Sequence, residues 1–181
     1  YGGNQRLMES IGVSVKAYPQ IETSGKTILY FGSDGGEYLG AIAAADVLKN
    51  DSTAAVAALK KQKLKVVMLT GDNAAAAQVV GARVGVDEVM AQVLPQEKEQ
   101  RIRQLQDAGR RVIMVGDGLN DAPALTRAEV GIAIGAGTDV AIDAADVVLM
   151  KSRLTDVSAA VRLSRRTYKT ILWGLFWALI Y

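Results

Sequence analysis

From about residue 41 onward the chain alternates short apolar runs with longer stretches of helical spacing. The runs Lys65–Leu69, Val112–Val115, Gly131–Ile134 and Val147–Met150 are β-rich and nearly uniform in their hydrophobicity. Between them Thr53–Gln62, Ala74–Val84, Gln96–Ala108 and Thr138–Ala144 bring apolar residues back every three or four positions, the period of a helix with one buried face. Strands alternating with helices predict an α/β fold with a doubly wound parallel sheet. Runs that are apolar throughout, rather than at every second position, fit strands covered on both faces. The helix starts are marked as well. Asp72 and Asn73 are capping candidates for the helix at Ala74, and Pro95 with Glu97 close behind suits a first turn.

The two ends depart from this rhythm. Gly2-Gly3-Asn4 opens a polar segment, and Thr27–Phe31 and Tyr38–Ile42 read as a hairpin turned by Ser33-Asp34-Gly35-Gly36. This hairpin reads as the edge of a separate domain, with a junction near Ala43–Asp46. At the other end Lys151, Arg153, Arg162, Arg165, Arg166 and Lys169 precede the uncharged run Ile171–Tyr181, which holds Trp173, Phe176 and Trp177. As a helix that run reaches only about 17 Å, roughly half a bilayer core. Taken alone it reads as a buried helix or a truncated end, while the basic cluster suits the cytoplasmic flank of a span continuing past Tyr181. The chain starts at Tyr1 rather than at Met, and the expectation is a piece of a longer protein.

Composition narrows the chemistry. The 181 residues are 50% hydrophobic, enough for a substantial core, and carry a net charge of +2. No dense basic patch interleaved with aromatics appears, so no nucleic-acid partner is expected. Cysteine and histidine are both absent, which excludes disulfides and any zinc or copper site built from those residues within this segment.

The chemically richest stretch is Gly116–Leu125, GDGLNDAPAL. It sets two carboxylates, Asp117 and Asp121, on a glycine-rich turn directly after the strand Val112–Val115. Such a turn can hold Mg²⁺ against a phosphate, because this hard cation takes one or two carboxylates and keeps some of its waters. Ligands of doubly wound sheets bind outside the carboxyl ends of the strands. A second loop, Thr70-Gly71-Asp72-Asn73, starts at such an end after Lys65–Leu69. If the two strands are neighbours, a hydroxyl, backbone amides and two acids converge, with Lys98 from the helix after Pro95 as a point charge for a phosphoryl group. That set suits phosphoryl transfer, where catalysis is mostly positioning and electrostatics. Taken singly, each feature has a plainer reading: a turn after a core strand, a turn threonine, a solvated lysine. A nucleophile is missing, since no aspartate on a strand–loop has the expected Asp-x-Thr or Asp-Gly-Thr surroundings; Asp34 falls in a hairpin turn and Asp46 precedes a helix. The segment reads as the accessory half of a phosphoryl-transfer site.

The series TGDN at Thr70–Asn73, LPQEK at Leu94–Lys98, GDGLNDAPAL at Gly116–Leu125 and GIAIGAGTDVAIDAADVVLM at Gly131–Met150 closely resembles the P-type cation-transporting ATPases, members of the haloacid-dehalogenase superfamily by fold. The resemblance covers essentially the whole chain. The last motif is similar to the heavy-metal branch, and LFWALIY at Leu175–Tyr181 resembles its copper(I)-translocating members, although Trp173-Gly174 stands where those usually show Gln-Asn. What the resemblance implies is an ATP-driven heavy-metal export pump, for copper(I), that works through an aspartyl phosphate and sits in the cell membrane with residues 1–169 on the cytoplasmic side. It implies Mg²⁺ on Asp117 and Asp121, and a phosphoryl neighbourhood formed by Thr70, Gly71, Asp72, Asn120 and Asp121. Lys98 is implied as partner of the phosphorylated aspartate, Gly3 and Asn4 as ATP ligands, Asp46 as a hinge and Tyr181 as half of a transported-metal pair. The implied domains are the end of a nucleotide-binding domain over 1–44, a phosphorylation domain over 45–151, a basic linker helix over 152–169 and the start of a transmembrane helix over 170–181. Two other readings stay open at this point: a free-standing Mg²⁺-dependent phosphatase of the same superfamily, and a dinucleotide-binding module. The second is poor, because Asp121 occupies the third glycine position of a GxGxxG and its charge would face the pyrophosphate.

Overall fold

The computed structural model describes residues 1–18, 26–44, 48–117, 119–135 and 142–180. The hairpin expected near the amino terminus is present as β2 (Thr27–Gly32) and β3 (Tyr38–Ala44), and a two-residue strand β1 (Gly2–Gly3) adds antiparallel to β2. The turn closes through Ser33, whose N–H donates to the Glu37 carbonyl and whose own carbonyl accepts from Gly36. Gly36 has φ of +77°, open to glycine at no steric cost. A short helix α1 (Gln5–Ser10) lies against this sheet, and Met8, Val13 and Tyr30 form the buried centre. Periodicity could not reveal β1 or α1, since neither is long enough to show a period.

The α/β part contains parallel pairs, as the alternation predicts. In the first, β4 (Val67–Leu69) pairs with β5 (Glu88–Met90), crossing over through α3 (Ala74–Val84). Asn73, not Asp72, caps α3: its Oδ1 accepts from the Ala76 N–H at 2.8 Å. Gly85 ends the helix at φ of +84°. The strand is shorter than the apolar run Lys65–Leu69 because its first two residues are used otherwise. Lys65 pairs with Glu88, and the Val66 N–H donates to the Asp87 carboxylate at 2.8 Å. β5, three residues long and opened by a glutamate, gave no apolar signal in the sequence.

In the second, β6 (Ile113–Gly116), β7 (Val130–Ile134) and β8 (Val147–Leu149) form a parallel sheet in that order. β7 is the middle strand and buried over Gly131–Ile134, as expected for a run flanked on both edges and covered on both faces. The helix α4 (Pro95–Asp107) leads into this sheet, and a 3₁₀ turn at Leu119–Asp121 runs into α5 (Ala122–Arg127). Gly131 permits the close seating of α5, because a Cβ there would lie 2.6 Å from the Leu125 carbonyl oxygen. The helix expected over Thr138–Ala144 falls largely outside the described residues. The strands bearing the two candidate loops are not neighbours: β4 pairs with β5 and β6 with β7, so each keeps one unpaired edge among the described residues.

Two helices brace the second sheet. α2 (Ser52–Lys61) and α6 (Thr155–Ile180) lie side by side, and Ile132, Ile134 and Val157 form the core between sheet and helices, with Leu59 packed against it. The basic linker and the terminal apolar run thus form one continuous helix. Hydrogen bonds fasten the pair at both ends of α2. Asp51 accepts from the Thr155 N–H at 3.0 Å and from its hydroxyl at 3.1 Å, so a carboxylate 104 residues away in sequence caps α6. Gln62 donates to the Ser158 carbonyl at 3.0 Å, and its own carbonyl accepts from Arg165 at 2.8 Å. No helix among the described residues is long and apolar enough to cross a membrane.

Two outcomes follow from this packing. Gly131→Ala drives a methyl group into the backbone of α5 and lowers stability by about 1–3 kcal/mol; an unchanged urea midpoint would show that α5 can move aside freely. Acid also weakens the fold. The Thr155 N–H holds the Asp51 carboxyl below its ordinary value, the Lys60 ammonium does so for Asp87, and the Val112 N–H for Glu129. Depressed carboxyl pKa values give stability that is complete above the ordinary values, 3.8 for Asp and 4.5 for Glu, and that is lost as pH falls through the lowered ones. The thermal midpoint therefore stays level from about pH 7 to about pH 5 and drops below about pH 4, with a shallower drop in Asp51→Asn.

Candidate functional site

The site is assembled where β6 ends. Gly116 closes the strand and is buried, Asp117 follows it into solvent, and the 3₁₀ turn then brings Asn120 to the surface and Asp121 back inward. Asp121 is the one buried charged residue among the described residues, with 8% of its surface accessible. It can turn inward only because Gly116 has no side chain. A Cβ on Gly116 would stand 2.7 Å from Asp121 Cβ and 2.8 Å from its Oδ2. The GDGLND spacing therefore encodes a close approach as well as two acids.

Lys98 answers the buried charge. Pro95 starts α4 with φ already set for a helix and no N–H to satisfy. Glu97 folds back so that its carboxylate accepts from the Leu94 N–H at 3.0 Å. This fixes the first turn, and Lys98 Nζ meets Asp121 Oδ1 at 2.7 Å with both side chains largely shielded from water. Charge-assisted hydrogen bonds are about twice as strong as neutral ones, and shielding strengthens them further. The ammonium lies at the carboxyl end of a parallel strand, where an incoming anion would meet it.

The Thr70 loop is held by backbone contacts to the segment that leads into α4. The Thr70 N–H donates to the Met90 carbonyl at 3.0 Å, the Val93 N–H donates to the Thr70 carbonyl at 3.0 Å, and the Gln92 N–H donates to the Asp72 carbonyl at 2.9 Å. The Thr70 hydroxyl donates to Asp72 Oδ2 at 2.8 Å and accepts from the Asp72 N–H at 3.2 Å. Gly71 lies close to the same segment, since a Cβ there would stand 3.4 Å from the Val93 carbonyl oxygen. Thr70, Gly71 and Asp72 are thus tied to the start of the helix bearing Lys98. No hydrogen bond or ion pair joins them directly to Lys98, Asp117 or Asp121 among the described residues.

Gly3 and Asn4 sit apart, in the antiparallel part. Gly3 pairs with Tyr30 across β1 and β2, and Asn4 Oδ1 caps α1 by accepting from the Leu7 N–H at 2.9 Å. A Cβ on Gly3 would meet Leu7 Cδ2 at 2.4 Å, so this glycine serves the fold as well as any ligand. Asp46 and Tyr181 lie outside the described residues.

No group of three or more acidic, histidine or cysteine side chains gathers to hold a metal among the described residues. Mg²⁺ needs no such cage; one or two carboxylates, waters and phosphate oxygens suffice. Asp117 is exposed at the strand end and makes no ion pair among the described residues. The Oδ1 of Asp121 is occupied by an ammonium, which opposes a second cation at that oxygen. The donor chemistry fits Mg²⁺ at Asp117, which would hold it with waters completing the coordination.

Comparison with known proteins gives the family to which the fold belongs. The family model for haloacid dehalogenase-like hydrolases matches residues 1–129. The chain is 50% identical over 160 residues to the probable copper-exporting P-type ATPase V of Mycobacterium tuberculosis (strain ATCC 25618 / H37Rv), covering 88% of this chain and 21% of that protein. It is 44% identical over 183 residues to the copper-exporting P-type ATPase of Bacillus subtilis (strain 168), covering 99% and 23%. The probable copper-importing P-type ATPase A of Enterococcus hirae is 43% identical, covering 100% and 26%. Among solved structures, a zinc-transporting PIB-type ATPase in the E2.Pi state superposes with a TM-score of 0.74 at 36% identity, covering 86% of this chain and 25% of that one. The chain spans about a fifth to a quarter of the length of these relatives. It belongs to the haloacid dehalogenase-like hydrolases, and within them its likeness is to the heavy-metal P-type ATPases.

Proposed function

We propose that this chain supplies the phosphoryl-handling half of an ATP-driven heavy-metal pump, with copper(I) as the exported ion. The observation that carries the reading is the shielded Lys98–Asp121 pair at the carboxyl end of β6, beside an exposed Asp117. The relatives that resemble the chain over most of its length are named as copper transporters, which supports the choice of metal and the placement in a cell membrane. The domain limits of this reading are 1–44 for the end of a nucleotide-binding domain, 45–151 for a phosphorylation domain, 152–169 for a basic linker helix and 170–181 for the start of a transmembrane helix. Residues 1–169 face the cytoplasm.

In this reading the phosphorylated aspartate comes from a strand outside the chain. The unpaired edges of β4 and β6 support a position for it between the Thr70 loop and Asp117. An aspartate carboxylate at that point attacks the terminal phosphorus of ATP, its oxygen forms the new bond to phosphorus, and ADP leaves with the electrons of the broken bond. Lys98 balances the negative charge on the transferring group, and the Thr70 hydroxyl and Gly71 N–H orient its oxygens. Asp117 holds Mg²⁺, which supplies charge neutralisation on the phosphate oxygens. Asn120 and Asp121 keep the turn in shape, Asp121 by fixing Lys98. Gly3 and Asn4 contribute to the ATP site, and Tyr181 to the path of the metal.

The test is made in the whole protein that contains this chain. Asp117→Asn abolishes Mg²⁺-dependent phosphoenzyme formation from labelled ATP while ATP binding persists; ordinary phosphoenzyme levels in that variant would remove the metal role. Lys98→Met lowers the phosphorylation rate by about 10²-fold or more, the scale for losing one electrostatic contact to a transition state. It also destabilises the domain by about 3 kcal/mol, because Asp121 is left shielded without a partner. A variant with lost stability and a normal rate would make Lys98 a structural residue only.

A further inference from the structure

The terminal helix carries an order of side chains that the phosphoryl site does not use. After Asp156 the sequence has no acidic residue. Arg162, Arg165, Arg166 and Lys169 follow at i, i+3, i+4 and i+7, so they stand on one face of α6, and all four are exposed. Trp173, Phe176 and Trp177 continue the same face at i+11, i+14 and i+15. Their rings pack on each other at centroid distances of 5.9, 6.4 and 5.7 Å, and the two tryptophans remain 61% and 60% exposed. Along about 22 Å of helix one face thus passes from cations to stacked aromatics.

The cationic end is broadened by α2. Arg165 donates to the Gln62 carbonyl at 2.8 Å, which sets the carboxyl end of α2 beside the stripe. Gln62 is flanked by Lys61 and Lys63, both exposed. Their neighbours Lys60 and Lys65 are neutralised by Asp87 and Glu88, whereas Lys61, Lys63 and the α6 cations make no ion pair among the described residues.

We propose that this composite surface, the α6 stripe together with Lys61 and Lys63, docks on the headgroup layer of an anionic phospholipid membrane. The inference rests on the membrane placement given above and adds a lipid preference and a contact from α2. Charge complementarity chooses the occupant. Lys and Arg attract acidic headgroups within a Debye length of the bilayer surface, and Trp and Phe favour the boundary just beneath. A segment running from cations to aromatics matches that gradient. Because α2 is hydrogen-bonded to α6, its lysines reach the same plane, and the contact fixes the angle of the α/β part to the bilayer.

The test uses the 181-residue chain and sedimentation with phosphatidylcholine vesicles, either pure or containing a quarter phosphatidylglycerol. Binding to the anionic vesicles is strong at low salt and weakens as salt is raised. Lys61→Gln/Lys63→Gln binds them about 30-fold more weakly, at ~1 kcal/mol for each lysine, and Arg162→Gln/Arg166→Gln does the same. The charge-matched control Lys16→Gln/Lys26→Gln, far from the stripe in sequence and on the antiparallel part, stays within about twofold of the parent. Equal binding of the parent to neutral and anionic vesicles overturns the headgroup surface and leaves the apolar end as the anchor. If the Lys61/Lys63 variant binds like the parent, the α2 contact is overturned. No binding to either vesicle overturns the surface and the membrane placement together.

Discussion

The burial of β7 is the constraint from which the rest of the α/β part takes its positions. A parallel strand in the middle of a sheet must satisfy its backbone on both edges and cover both faces with apolar atoms. Val130–Ile134 does so by pairing with β6 and β8, and its side chains draw in Leu59 and Val157 from the two bracing helices and Leu154 from the turn ahead of α6. At Gly131 the backbone of α5 comes so near that no side chain fits. Once β7 is placed, the register of β6 fixes where Gly116 ends, and with it the origin of the site loop.

A second close approach converts that position into chemistry. Gly116 admits Asp121 to the strand end, Asp121 is shielded there, and a shielded carboxylate requires a cation. Lys98 is delivered by a helix whose first turn is held by Pro95 and by Glu97 folded back on Leu94. The same leading segment carries the backbone bonds that hold the Thr70 loop. The loop and the ion pair are therefore connected through residues 90–98, although no side chain of one touches the other among the described residues. An anion bound at this point would meet groups whose positions are fixed before it arrives, the condition under which electrostatic stabilisation is most effective.

The connection between this site and the terminal helix is mechanical. α6 enters the core at Val157, borrows its cap from Asp51 and is fastened again at Gln62. Beyond Val161 it leaves the core with its side chains exposed. A helix secured at two points of one short partner is held in a fixed relation to that partner.

Much of this was legible in the sequence. Apolar runs separated by helical periods are a local property, and they identified the strands β4, β6, β7 and β8, the helices α2, α3 and α4, and the hairpin of β2 and β3. Asn73 and Pro95 marked helix starts because capping is decided within one turn. The motif residues Asp117, Asp121 and Lys98 stood out by type and spacing, and the resemblance gave them an expected chemistry. What remained to the tertiary structure was whatever depends on two distant segments meeting. No period could show that β4 and β6 are not neighbours, since pairing is settled by which edges become available. The three residues of β5 are too few to carry a pattern, and they form a strand only because β4 offers backbone groups to bond. Asp72 and Asn73 looked alike as caps until Thr70 claimed the aspartate. That Asp51 caps a helix 104 residues away, and that Gly116 is needed by Asp121, follow from contact distances in space, which the order of residues along the chain does not contain.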